Sequence, residues 1–547
     1  MTEVPTAVPS DEEARPAEVG PPATVRLRRW KRLPLSLRRL LVLHALLLLV
    51  FTVLFPNYRS ADEPFHMDLI IAAHTGDAIP WPAPGGRLLS RGVYAGGFVT
   101  TGRIPDRATL SASKAPARGS RPSYRQAGGA TPFASSPGPP ARLVPNQLVQ
   151  HPPLYYYLMA PVLTVVPHWR DQPFDRIVAL YRFLNALLIL PLPLLMFLLA
   201  RKVGLTTAVS VAAASVLLAV PGLYHIGSSV NNDNLLIPLL AGTTLLTASV
   251  TLGDVRLRTG ALLGLLAGLA LLTKGLALYL PLTMGLGYLV AAFRTSLRRA
   301  LPAAALAMGV AFCLGGWWWV RNRLLYGTFQ PDGRSLAQPH LVRHTTFAST
   351  GSRWLGEFAR LVNQRFWSEP GSVNLPHVLS VATTLASALV LVGVTLSLAT
   401  RRPRLADSLL LALPLVCLIA ILAKGSWTVW SQVIRPAGLQ GRYLYAGVPG
   451  LAVLAVAGVG QLLGRRQRWL PLGVLGAAGL MQLLGIWLTF GVYWLPESGD
   501  VFGGLHNLLA WSAWPPPLVV PVMLGLVVAI AGTFSTLIRD VRRPVPQ

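Results

Sequence analysis

Acidic side chains are scarce in this sequence: 21 Asp and Glu face 48 Lys and Arg over 547 residues, and charge of both signs makes up only 13%. A soluble globular domain carries roughly twice that share, so an ordinary water-soluble fold is excluded. Cysteine is nearly absent as well. Cys313 and Cys417 each sit inside an apolar run, which excludes a disulfide framework or a cysteine-held metal and leaves two buried structural thiols as the expectation. The chain has no P-loop, GxGxxG, serine elbow or zinc-spaced His/Cys cluster, so nucleotide-driven chemistry has no support in it.

Apolar residues fill the space that charge leaves. They make up 52% of the chain, mean hydropathy is +0.51, and runs near twenty residues recur, each able to carry a helix across roughly 30 Å of hydrocarbon. The expected fold is an all-α polytopic membrane protein. Its spans, about twelve, are expected at 38–55, 177–200, 208–224, 234–252, 259–273, 275–293, 301–320, 377–400, 406–423, 443–463, 470–492 and 517–538. Residues 1–36, acidic and Pro-rich and then basic, read as a disordered cytoplasmic tail before a retained first helix, with 37–547 as the transmembrane domain.

With that tail inside, every second link should be basic. The links do carry Arg201 and Lys202; Arg256 and Arg258; Arg294, Arg298 and Arg299; Arg401, Arg402 and Arg404; Arg465, Arg466 and Arg468; and Arg539, Arg542 and Arg543. Both termini are then cytoplasmic, and the net charge of +27 is a topology signal and an attraction to anionic lipid, not a nucleic-acid footprint. The long hydrophilic segments, 56–176, 321–376, 424–442 and 493–516, all fall outside. Trp317, Trp318 and Trp319 close the seventh span at that outer boundary and read as interfacial anchors. Between the short fifth span and the sixth, Lys274 would be stranded in lipid by one continuous helix; a hairpin avoids this and holds the ammonium in a cavity near lipid-phosphate depth, or lets it snorkel.

Eight of the 21 acidic residues lie in the tail and the cytoplasmic links, leaving 13 outside. Two adjoin the first span, in Arg59-Ser-Ala-Asp-Glu-Pro-Phe-His66. Substitution at an anomeric carbon needs a base for the acceptor hydroxyl, and Asp62 or Glu63 can supply it; the pair can equally cap the helix that starts at Pro64. A phosphate leaving group needs cations, for which Lys274 and Arg442, in Gly441-Arg-Tyr-Leu-Tyr445, are the candidates. His151, in Gln150-His-Pro-Pro-Leu-Tyr-Tyr-Tyr157, can bind phosphate or a metal-bound water or serve structure, and the tyrosines after it anchor an interfacial helix or stack on sugar. In Ser228-Ser-Val-Asn-Asn-Asp-Asn234, Asn232 or Asp233 can cap the fourth span. His66, Tyr155, Asn232, Asp233 and Tyr443 are the candidate substrate contacts.

This order of elements (an acidic pair after the first span, a long first loop ending in His-Pro-Pro-Leu-Tyr-Tyr, Asn-Asn-Asp, Leu-Thr-Lys-Gly and a late Gly-Arg-Tyr) resembles the GT-C superfamily of polyprenyl-phosphate-sugar-dependent membrane glycosyltransferases. It looks most similar to protein O-mannosyltransferase-like and lipid A aminoarabinose transferase-like enzymes and to actinobacterial arabinosyl- and mannosyltransferases, over about residues 38 to 450. The resemblance implies a GT-C-like fold with interfacial helices in the first external loop. It further implies Asp62 as base with Glu63 as second choice, Lys274 and Arg442 on the donor phosphate, and inverting hexosyl or pentosyl transfer to a cell-envelope glycan, lipid or protein hydroxyl outside a bacterial cytoplasmic membrane. Some members use a divalent cation such as Mg, Mn or Ca and others none, and the folded C-terminal external domain of the larger members has no counterpart here.

The stretch 86–145, rich in Gly, Pro, Ser and Arg, is expected to be partly disordered and to order over the acceptor; the ten basic residues from Arg59 to Arg142 attract an anionic glycan or simply solvate a linker. A twelve-helix transporter or flippase is the alternative from another class, and it predicts two related halves; a non-enzymatic scaffold is a third. The enzyme reading predicts that Asp62, Lys274 and Arg442 share one cavity.

Overall fold

The structure is a computed structural model, and it describes residues 33–94, 121–134, 143–331, 351–367, 377–400, 405–433, 439–496 and 498–542. The expected tail before Leu33, the Arg401–Arg404 link, Arg543 and much of 86–145 lie outside the described residues. α1 (Leu35–Leu54) starts directly after Pro34 and runs for 20 residues without glycine or proline. It packs along α19 (Pro516–Arg542), so the first and last helices are neighbours. The chain then leaves the bundle for α2 (Glu63–Thr75) and α3 (Leu154–Met159), which pack on each other as a small layer at one end.

α4 (Phe174–Ile189) and α5 (Leu192–Lys202), α6 (Thr207–Val216) and the seven-residue α7 (Pro221–Gly227) follow. Next come α8 (Asp233–Thr251), α9 (Leu257–Leu271), α10 (Leu280–Arg294), α11 (Leu297–Ala311) and α12 (Trp317–Tyr326). Small residues set the register of this middle group. A Cβ on Gly260 would lie 2.6 Å from the Ala303 carbonyl oxygen and one on Gly264 2.5 Å from that of Ala307, while Gly268 faces Ala311. The two stripes advance together, so α9 and α11 run parallel at the close range that small residues permit. Likewise Gly287 faces Thr247 and Arg294 donates to the Thr251 carbonyl at 2.7 Å, so α10 runs parallel to α8. The chain therefore reverses at Lys274, as a hairpin requires.

Beyond it lie α13 (Gly351–Trp367), α14 (His377–Thr400), α15 (Leu405–Val433), α16 (Val448–Leu463), α17 (Leu470–Tyr493) and α18 (Val501–Trp511). No strand forms among the described residues; Leu88 with Pro145, Ser90 with Pro132 and Ala134 with Leu143 pair only as isolated bridges.

Among the described residues nine stretches are long and apolar enough to cross a membrane, or ten if the pair Thr207–Ala219 and Pro221–Gly227, bent by 73°, counts as one span. The difference from twelve has physical causes. α9 is only 15 residues long, the 208–224 segment is broken at Pro221, and Gly441–Tyr493 forms one apolar stretch of 53 residues interrupted by the turn Gly464–Trp469. Two further expectations are corrected. Cys313 is exposed on the apolar flank and Cys417 only half-buried, not core thiols. Of the three tryptophans only Trp317 is exposed, whereas Trp319 is buried and donates to the Leu271 carbonyl at 2.9 Å.

The described basic links gather at the end opposite α2 and α3. Arg294 joins Asp407 at 2.6 Å, Arg39 reaches the Gly532 carbonyl, and Gly460 lies against Val209 near Lys202. The polar end that remains carries the N-termini of α8 and α16 and the α9–α10 turn.

Candidate active site

Arg182 builds the floor of this end. It sits inside α4, buried, and donates to Glu63 at 2.8 and 2.6 Å and to the carbonyls of Thr52, Phe55 and Pro56. Glu63 also accepts from the backbone amides of Tyr58 at 2.8 Å and Val230 at 3.1 Å. A carboxylate so engaged and fully buried is a strut, not a base: Glu63, the second choice for that role, spends its oxygens on holding the α1–α2 connection. Asp62 is thereby presented at φ +61, a left-handed conformation that non-glycine residues seldom adopt and that collects at functional sites. Although Asp62 occupies the N-cap position of α2, its side chain makes no capping bond; it accepts from Arg442.

Arg442 belongs to the turn Gly441–Gly447, which packs among α8, α13 and α15. Gly441 makes the fit possible, since a Cβ there would run into the Arg365 carbonyl. From this seat Arg442 bonds Asp62, donates to the Ala61 carbonyl at 3.3 Å and points Nε at Asp233 Oδ2, 3.5 Å away, too far for a hydrogen bond. Lys274, in extended backbone between α9 and the turn Gly275–Tyr279, binds Asp233 Oδ1 at 2.7 Å. The Tyr443 ring faces both cations, 4.9 Å from Lys274 Nζ and 5.5 Å from the Arg442 guanidinium carbon. Two carboxylates and two cations thus alternate in a buried chain, Asp62–Arg442–Asp233–Lys274.

Around it lie polar groups without partners. Both side-chain atoms of Asn232, Asp233 Oδ2, Arg442 Nε and His151 Nδ1 are buried with no hydrogen-bond partner among the described residues. Burial, and after it the Lys274 charge, holds the His151 imidazole well below the ordinary histidine range, and His66 is depressed for the same reasons with Arg442 adding to them. Both rings are therefore neutral at pH 7, and His151 Nδ1 can serve a ligand as acceptor or donor. His66 Nδ1 lies 3.1 Å from the Tyr156 hydroxyl, whose ring stacks on Trp81 at 5.1 Å.

The structure therefore brings Asp62, Arg442, Asp233, Lys274 and Tyr443 into direct contact, and places His66 and His151 within the field of the two cations. Glu63 and Tyr155 point elsewhere: the Tyr155 hydroxyl donates to Asn185 at 2.9 Å. Asn232 does not cap α8; Asn231 does that work, its Oδ1 accepting from the Asp233 amide at 2.9 Å. Sequence reasoning passed over Arg182 and Tyr156. An arginine within an apolar span is itself a signal, whereas three consecutive tyrosines gave none for choosing among them.

A divalent cation fits this donor set poorly. Among the described residues no three His, Cys, Asp or Glu side chains group to hold one, and each carboxylate already has a side-chain cation.

Residues 150–319 match the family model described as dolichyl-phosphate-mannose-protein mannosyltransferase. No curated protein matches the chain. Among solved structures, the apo oligosaccharyltransferase of Archaeoglobus fulgidus aligns with 95% of this chain and 57% of its own at 12% identity and a TM-score of 0.39. ArnT of Cupriavidus metallidurans bound to undecaprenyl phosphate aligns over 72% and 67% at 15% identity and 0.37. The chain thus spans little more than half the length of the archaeal enzyme. The matched segment opens one residue before His151 and carries Asn232, Asp233 and Lys274 in the order read from the sequence, and over that stretch this chain is similar to the mannosyltransferase family.

Proposed function

We propose that residues 37–547 form one catalytic unit that moves a sugar from a polyprenyl-phosphate donor to the hydroxyl of a cell-envelope glycan, lipid or protein, with inversion, at the outer face of a bacterial cytoplasmic membrane. The observation that carries the reading is the buried alternation of Asp62, Arg442, Asp233 and Lys274 at the end of the bundle away from the basic links. Cytoplasmic links are the arginine-rich ones, which supports an outer position for the cluster.

Each group then has a task. Asp62 takes the proton of the acceptor hydroxyl as the new bond to the anomeric carbon forms. The bond from that carbon to the phosphate oxygen breaks, its electron pair stays on the oxygen, and Lys274 and Arg442 meet the charge that develops there. Asp233 positions both cations. Asn232, His151 and Tyr443 line the space a sugar phosphate would fill.

The test is transfer by the purified protein in liposomes from labelled polyprenyl-phosphate hexoses and pentoses, mannose and arabinose first. One donor should be consumed, a chelator should leave the rate unchanged, and Lys274→Met should lower it about 100-fold or more, the scale on which loss of one preorganised charge acts. Folded wild-type protein that transfers from no donor would return the weight to the transporter reading.

A further inference from the structure

We infer that Asp62 and the donor phosphate compete for Arg442, so that donor binding itself releases the base; the inference rests on the function proposed above. The charge inventory is the starting point. Lys274 and Arg442 contribute two positive charges, Asp62 and Asp233 two negative ones, and all four side chains are buried apart from the partly exposed Asp62. A neutral, internally paired cluster holds no spare cation for a phosphodiester, and a further negative charge buried beside it would be left unpaired. One carboxylate has to give way.

The structure distinguishes the two. Asp233 stands in the first turn of α8, its side chain 2% exposed, with Oδ1 bonded to Lys274. Asp62 is 20% exposed, stands outside the helix at φ +61, and among the described residues holds a single side-chain partner, Arg442. It can turn toward solvent without breaking an element, whereas moving Asp233 would unseat the helix end. Among the described residues Arg442 Nε–H has no hydrogen-bond acceptor, so it can receive a phosphate oxygen before the Asp62 contact is lost.

The exchange orders the reaction. While Asp62 is paired with Arg442 its Oδ2 is occupied by the guanidinium; once phosphate takes the guanidinium, the carboxylate oxygen is free to accept the proton of the acceptor hydroxyl. After transfer the phosphate monoester sits on Lys274 and Arg442 and the acceptor proton on Asp62. When Asp62 loses that proton to solvent, it can reclaim Arg442 and displace the spent carrier. Donor binding, base activation and carrier release are thus three readings of one contact.

Binding of a sugar-free probe separates this from the parent proposal. Farnesyl phosphate affinity is measured for wild type, Asp62→Asn, Arg442→Gln and the double variant, with thermal unfolding as a check on folding and donor transfer measured in parallel. Asp62→Asn should bind the probe about 10-fold more tightly, some 1.4 kcal/mol, while losing transfer, and the gain should vanish in the Arg442→Gln background. Unchanged or weaker binding by folded Asp62→Asn, or a gain that persists without Arg442, overturns the exchange even if wild-type transfer upholds the enzyme reading. Should Asp62→Asn fail to fold, Asp62→Ser removes the same charge and carries the same expectation. Wild type that binds the probe yet transfers from no donor would sink the parent reading instead.

Discussion

At the scale of single residues, two adjacent acids have opposite fates because of one arginine, Arg182, about two turns into α4. Arg182 takes both oxygens of Glu63 and three carbonyls at the end of α1, so removing either charge leaves the other buried and unpaired. Glu63→Gln should cost about 3–5 kcal/mol and appear as a large drop in the unfolding midpoint in detergent, whereas Asp62→Asn should leave the midpoint nearly in place. Equal effects on stability would mean that Asp62 is a strut as well. His66 and His151 give stability a pH dependence of definite sign. Their pKa values are lowered by burial and by Lys274, so below about 6.5, where an unfolded histidine protonates, the unfolded chain binds more protons than the folded one. Stability should then fall as pH drops from 7 toward 5, by as much as about 1.4 kcal/mol per pH unit for each ring. His151→Gln should flatten the slope, and a midpoint that rises on acidification would contradict the assignment.

At the scale of elements, close packing of small residues positions the cations. The Gly260, Gly264 and Gly268 stripe brings α9 against Ala303, Ala307 and Ala311 of α11, and this seat fixes where the chain turns at Lys274. Gly264→Val should cost about 1–3 kcal/mol through overpacking, lowering the yield of folded protein. Gly441→Ala, at the edge of the site, should leave the bundle intact and reduce transfer, because the added methyl meets the Arg365 carbonyl and shifts the turn that carries Arg442; an unchanged rate would show that α13 yields instead. The sequence made the hairpin at Lys274 legible, since an ammonium in mid-lipid has too high a cost to be accidental. It did not reveal that α3 sits over the short end of α9, where the Leu154 amide donates to the Leu272 carbonyl at 3.3 Å. Nothing in a local pattern says which distant backbone a six-residue helix will meet. The flanks of 86–145 were read as a loose basic linker, but Arg87 pairs with Asp68 at 2.8 Å and Arg121 with Asp175 at 2.6 Å, so two of its arginines are committed to the fold and do not wait for a glycan.

At the scale of the whole molecule, the candidate site and the described basic links lie at opposite ends. That polarity was legible because basic links alternate with polar loops along the chain. The number of spans was not, since apolar length alone cannot tell a helix broken at Pro221 from a crossing, or one 53-residue stretch from two. With Cys313 and Cys417 replaced by serine, a single cysteine at exposed Asp77, beyond α2, should react with an impermeant maleimide in intact cells, and one at Arg466 should react only after lysis; the reverse pattern would put the cluster in the cytoplasm. The central claim is that the Asp62 carboxylate is the base of a transfer whose leaving phosphate is held by Lys274 and Arg442. It is tested most directly by transfer from the consumed polyprenyl-phosphate sugar at saturating donor, comparing wild type with Asp62→Asn at matched folding. The rate should fall about 100- to 10,000-fold, the range a general base supplies, with donor still bound; a variant that transfers at the wild-type rate would contradict the account.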